Sequence, residues 1–289
     1  MTDAAGQTPT PERTAEVVAS VAQHRALSTE QVREMHYPAN LARWVQRVLA
    51  RIEAAGHLAH VDIRRAPRRL WFATASGLEV VREARIIDGE LRLFSAEEIA
   101  GPFWNHTLAV NDAALAFLRA ARDRVDDFGP LSWRQEVAHP VGPKGAPFRR
   151  RVVADALLTY VRGSGGDTYL EQRFLEVDRA TRSIEGTAGS LAKYERLWRG
   201  RGPADWRDRY PAFPPVLCIL DGADREALTR RRTAILALLR SSRALAAAEE
   251  IRISLALAED LKAAGPFAPI FRELREPGAE VDWLGRVVE

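Results

Sequence analysis

Two apolar runs with acids set inside them constrain this chain most. Residues 151–161 read RVVADALLTYV, residues 168–179 read TYLEQRFLEVDR, and the turn residues GSGGD lie between them at 163–167. Val, Leu, Phe and Tyr favour pleated, half-buried backbone and Gly, Ser and Asp favour turns, so two strands joined as a hairpin are expected. Strand side chains alternate between faces. Glu176 and Asp178 therefore share a face with Phe174, while Leu175 and Val177 point the other way. Asp155 lies in the partner strand, where antiparallel pairing brings its carboxylate towards Glu176. Two or three hard oxygens held together are the ligands that Mg2+, or Mn2+, accepts alongside water. The plainer reading leaves Asp155 and Asp178 at strand ends in water. Glu136, in an expected strand from Trp133 to Ala138, is either a further acid of the site or a surface residue.

The N-terminal third has a different pattern. Residues 1 to about 12 are rich in Thr, Pro, Gln and Gly and are expected to be disordered. Val17, Val18 and Val21 predict a helix from Thr14 to about His24. Ser28 and Gln31 form a capping-box pair for a second helix that ends before Tyr37-Pro38. Asn40 is the expected cap of a third helix, LARWVQRVLARIEAAG, with Leu41, Trp44, Val45, Val48, Leu49 and Ile52 on one side and Gly56 as its stop. Arg43, Gln46, Arg47 and Arg51 occupy its other side. Two strand-like runs, HLAHVDIRR and LWFATA, follow, joined by a turn carrying Arg64, Arg65, Arg68 and Arg69 around Pro67. Three short helices and a two-stranded wing with a basic tip describe a winged helix-turn-helix over residues 13–85. Such a domain places its third helix in the major groove of double-stranded DNA and its wing on phosphates or a minor groove. Winged helices also serve as protein-interaction modules.

A short helix from Gly77 to about Arg85 closes that domain, and the mixed segment 86–100 is the expected boundary. A second domain then covers 101–289, starting with a helix from about Trp104 to Asp123. After the acid-bearing hairpin, a helix beginning near Ser183 carries Lys193. PPVLCILD, REALTRRRTAILALLRSSRAL, IRISLALA and FAPIFREL then alternate strand and helix and are able to extend one sheet. The fold class is α+β/α/β, a winged helix-turn-helix followed by a mixed sheet flanked by helices.

Composition bounds the function. The chain has 289 residues, 46% of them hydrophobic and 28% charged, enough for about two folded domains. Its formal net charge is only +3, so a nucleic-acid surface must come from local clustering. The polar N-terminus, the lack of an apolar run of membrane-spanning length and a single cysteine, Cys218, are those expected of a cytoplasmic protein with no membrane partner and no disulfide framework. Cys218 itself, in PPVLCIL, reads as a buried small hydrophobe.

An Asp on one strand, Glu176-Val177-Asp178 on the next and a helix after them resemble the core of the PD-(D/E)xK nucleases, a restriction-endonuclease-like fold. The resemblance implies that Asp155, Glu176 and Asp178 hold a divalent metal and that a lysine assists the attacking water. Asp178 stands where that lysine is expected, and Lys193 on the following helix is the candidate replacement; the chain's other lysines are Lys144 and Lys262. In its element order, and in HTLAVND at 106–112, VADALL, FLEVDR and AKYERLW, the chain also resembles the replication-relaxation family of plasmids and integrative elements. That likeness implies a role in DNA transactions of mobile elements and adds His106 and Asn111 as neighbours of the site. Two functions follow: a DNA-binding protein with a Mg2+-dependent nicking or cleaving domain, or an inert regulator or replication accessory protein whose second domain serves homodimerisation or partner contact.

Overall fold

A computed structural model describes residues 9–63, 68–141, 151–200, 206–276 and 278–287. It divides into two compact units, the first reaching to Leu115 with Gly129–Leu131 added, the second holding Ala116–Phe128 and the chain from Ser132 on.

In the first unit, helix α1 (Pro11–Gln23) begins earlier than its valine pattern indicates, because Thr10 caps it and Pro11 supplies a preset first turn. Strand β1 (Leu27–Ser28) leads into α2 (Thr29–His36), where Ser28 and Gln31 complete the expected capping box. Helix α3 (Ala42–Ala54) buries Trp44, Val45, Val48, Leu49 and Ile52. Its N-cap is Leu41, without a side-chain cap bond. Asn40 lies one residue too early to cap, because the helix starts at Ala42. Gly56 leaves α3 at φ 82°, a conformation that costs glycine nothing. Strands β2 (Leu58–Ile63) and β3 (Arg68–Ala73) form an antiparallel hairpin from Leu58↔Ala73 to Ile63↔Arg68, and β1 joins the free side of β3 through Leu27↔Trp71. Helix α4 (Ala75–Glu83) is capped by Thr74 and α5 (Ala96–Ala100) by Ser95.

Helix α6 (Trp104–Arg124) contributes to both units. The division thus falls inside this helix, not in the 86–100 segment. The reason is packing: Leu108 joins Ala26, Leu70, Phe72 and Ile99 in one apolar cluster, and Asn111 donates to the Ala26 carbonyl at 3.3 Å. Further along the helix, Phe117 meets Trp283 edge-on at 5.2 Å.

The second unit is built on β4 (Trp133–Pro140), β5 (Arg151–Ser164), β6 (Asp167–Asp178), β7 (Val216–Leu220), β8 (Ile253–Leu257), β9 (Phe271–Glu273) and β10 (Glu280–Val281). They form one mixed sheet in the order β10-β9-β8-β7-β6-β5-β4, with β6, β7 and β8 parallel and the other pairs antiparallel. Helix α7 (Ile184–Arg199) connects β6 to β7, α8 (Arg225–Arg240) and α9 (Arg243–Ala246) connect β7 to β8, and α10 (Ala258–Ala264) follows β8. β7 and β8 are buried at every residue. Their apolar runs are continuous because the sheet is covered on both faces there. Phe174, Val216, Cys218 and Leu220 pack with Leu191, Tyr194 and Leu197 of α7 and with Ile235 and Leu239 of α8.

Candidate functional site

The β5–β6 pairing sets the geometry. Its ladder runs from Ser164↔Asp167 at the turn to Ala156↔Leu175, and the next step of that register puts Asp155 opposite Glu176. Residues directly opposite on antiparallel strands share a face. The backbone ladder stops at this point, and a side chain continues it: the Val177 N–H donates to Asp155 Oδ2 at 2.8 Å. Glu176 meets α7, whose Tyr194 hydroxyl donates to Glu176 Oε1 at 2.6 Å. The Tyr194 ring is buried and packs on Phe174, with centroids 5.1 Å apart.

Charge follows from that packing. Burial pushes the Glu176 carboxyl up to about 8, and the negative Asp155 adds to the rise. Against it act the Tyr194 hydrogen bond and the positive charges of Arg182 and Lys193. Removing a carboxylate from water and setting it beside another disfavours its ionised form. A cation beside the two acids would relieve that penalty by favouring the charged form of Glu176. Cys218, in parallel register with Glu176, is buried, and its thiol is pushed well above the usual range, chiefly by burial.

Asp178 is held differently. It is buried, and Arg231 of α8 grips it with two bonds, Nε to Oδ2 at 2.5 Å and Nη2 to Oδ1 at 3.2 Å. The same Nη2 donates to the Arg182 carbonyl at 2.8 Å and to Thr187 Oγ1 at 3.0 Å. Among the described residues, no group of three or more His, Cys, Asp or Glu is arranged to hold a metal ion. Lys193 is exposed on α7, and Arg182 is exposed in the turn before it. Glu136 is exposed on β4 at φ 52°, between the ladder pairs Gln135↔Ala156 and Val137↔Ala154. His106 and Asn111 belong to the first unit, where Asn111 secures the turn at Ala26.

Sequence reasoning passed over Tyr194, Arg182 and Arg231. Tyr194 adjoins Lys193 in the AKYERLW helix, and an aromatic at that spacing reads as core, which it also is. Arg231 lies in an RRR run that reads as a solvated helix face. Its partner is 53 residues away in sequence, a separation that no local pattern encodes.

In the first unit, Arg43, Gln46, Arg47 and Arg51 all lie on the exposed face of α3. Among the described residues none of these three arginines has a hydrogen bond or an ion pair, in contrast to Arg33, Arg82 and Arg225, each held by a carboxylate. Arg69 on β3 is engaged by Asp62 at 2.9 and 3.3 Å and lies over the Trp71 ring. Arg64 and Arg65, and the side chain of Arg68, lie outside the described residues.

The second unit is of the class built on a mixed seven-stranded sheet flanked by helices. The chain belongs to the replication-relaxation family, whose model matches residues 18–211. The match takes in Asp155, Glu176, Asp178, Arg182, Lys193 and Tyr194, but not Arg231. Membership points to a role in the replication or relaxation of plasmids or other mobile elements. No curated protein and no solved structure matches the chain. No helix among the described residues is long and apolar enough to cross a membrane.

Proposed function

We propose that this is a DNA-binding protein of a plasmid or mobile element whose second unit is a PD-(D/E)xK-like, divalent-metal-dependent nuclease that nicks or cleaves DNA. The observation that carries the reading is the opposition of Asp155 and Glu176, with Tyr194 on one Glu176 oxygen and two cations acting on the other side of its charge balance. Mg2+ is commonly held by one or two carboxylates together with waters and substrate phosphate, and this donor set fits that pattern. Asp155 and Glu176 would hold the ion. Asp178, gripped by Arg231, fixes the end of β6 and the turn carrying Arg182. A bound divalent metal supplies polarisation of the scissile phosphate and a water of lowered pKa. Arg182 and Lys193 bring positive charge to the acids and to an approaching phosphate, supplying what the replaced lysine of the tripeptide would supply.

The order α1, β1, α2, α3, β2, β3 with β1 on the outer side of β3 supports a winged helix-turn-helix reading of the first unit. Its α3 face of unpaired arginines and Gln46 suits the major groove, where Arg reads guanine and Gln reads adenine.

The test is incubation of supercoiled plasmid with the purified chain across Mg2+ and Mn2+ concentrations. The wild type is expected to produce open-circular or linear DNA, and Asp155→Asn and Glu176→Gln to produce neither. Duplex binding without cleavage under every condition, on random and on element-derived sequence, would favour an inert accessory protein that uses the second unit for dimerisation or partner contact.

A further inference from the structure

We propose that Tyr194 is a positioning residue for the metal site, holding Glu176 so that only its Oε2 is offered to a divalent cation. The inference rests on the reading of Asp155 and Glu176 as metal ligands. A carboxylate on a strand has freedom about its last torsion and is able to bind a cation through one oxygen or both. Here the Tyr194 hydroxyl donates to Oε1 at 2.6 Å, while Oε2 carries no hydrogen bond among the described residues. The donor is itself fixed. The ring is fully buried, packs against Phe174 of the same strand as Glu176 and sits on α7, whose start is set by the Ser183 cap. Phe174 in turn meets Tyr210 and Phe213 edge-on, at 5.6 and 5.8 Å, so the tyrosine leans on an aromatic cluster that does not yield easily.

This arrangement divides the work between the two acids. The Val177 N–H occupies one oxygen of Asp155, Oδ2, and the Tyr194 hydroxyl occupies one oxygen of Glu176. A backbone N–H thus lies on one acid and a buried phenol on the other. Partners of this kind, one step outside the metal, commonly govern affinity by 10- to 100-fold.

The experiment is Mn2+ titration of the full chain followed by the loss of the free-ion electron paramagnetic resonance signal. Wild type, Tyr194→Phe, Glu176→Gln and a chain with 3-fluorotyrosine placed at 194 are compared, each first checked by circular dichroism and thermal melting. The phenylalanine keeps the ring and its packing and removes only the donor. Its Mn2+ affinity is expected to fall about tenfold or more, with the melting temperature little changed. The fluorotyrosine keeps the hydroxyl and is expected to keep wild-type affinity, which a purely structural role could not separate from phenylalanine. A folded Tyr194→Phe chain that binds Mn2+ as tightly as the wild type overturns the assignment. If that variant does not fold, the fluorotyrosine chain decides: loss of affinity in a folded protein that retains the hydroxyl overturns it. A wild-type chain that takes up no Mn2+ overturns instead the metal reading beneath it.

Discussion

Arg231 makes four hydrogen bonds from one guanidinium: two to Asp178, one to the Arg182 carbonyl and one to Thr187. Both partners of the ion pair are largely withdrawn from water, with side-chain exposures of 11% and 4%. Removing one member of such a pair leaves an uncompensated buried charge, at a cost of roughly 3–5 kcal/mol. Arg231→Ala is therefore expected to lower the melting temperature well beyond an exposed control such as Arg230→Ala, and to lower metal-dependent cleavage as the Arg182 turn loosens. Equal melting of the two variants would refute the strut role. Glu176 makes the opposite kind of statement. Its folded pKa is raised from 4.5 to about 8, so the native state keeps a proton that the unfolded chain gives up. Stability from this group is fully present below about 4.5 and is lost as pH rises through about 8. Glu176→Gln removes that dependence. Its melting temperature, compared with wild type at pH values either side of this window in the absence of metal, is expected to gain on the wild type as pH rises; parallel curves would count against the shift.

At the scale of elements, the hairpin was legible because both of its signals are local: apolar alternation along β5 and β6, and glycines at the turn, of which Gly165 and Gly166 adopt positive φ. The capping box of α2, the apolar stripe of α3 and the buried runs of β7 and β8 were legible for the same reason. Strands β1 and β10, of two residues each, were not. They have no period to read and exist because a neighbouring strand has an edge to pair. Asp155 and Glu176 were legible as residue types in register across the hairpin. What holds Glu176 and Asp178, Tyr194 and Arg231, was not, because contacts across 18 and 53 residues arise only once helices are laid on the sheet. The unit boundary inside α6 was hidden likewise, since its two halves read as one continuous helix. A similar tertiary constraint appears at Gly77 in α4, where an added Cβ would lie 2.1 Å from the His57 carbonyl oxygen. Helix propensity alone favours alanine at an interior helix position by up to about 1 kcal/mol. Gly77→Ala is nevertheless expected to destabilise the first unit, because the clash is with backbone. A higher melting temperature would show that propensity wins.

For the whole molecule, the relation between charge and binding decides what the first unit contributes. A net charge of +3 on 289 residues gives little general attraction to a polyanion. Many arginines are already committed to carboxylates, including Arg69 on β3. Arg43, Arg47 and Arg51, exposed and without an ion pair among the described residues, are a local concentration of positive charge, set by the 3.6-residue repeat on one helix face. If they neutralise phosphates, each contributes roughly 0.9 to the slope of log affinity against log salt. Replacing all three by Ala is expected to weaken duplex binding strongly and to flatten that slope by as much as about 3, read by fluorescence anisotropy over a salt series. A contact to a base edge would lower affinity without its share of the slope, so the size of the flattening separates phosphate contacts from base contacts. Glu176→Gln in the same assay is expected to leave affinity and slope near wild type while cleavage is lost. The triple variant should still take up Mn2+ as the wild type does, because its substitutions touch none of the residues around Asp155 and Glu176. Loss of duplex binding in Glu176→Gln, or an unchanged salt slope in the triple variant, would mean that the second unit carries the DNA contact itself.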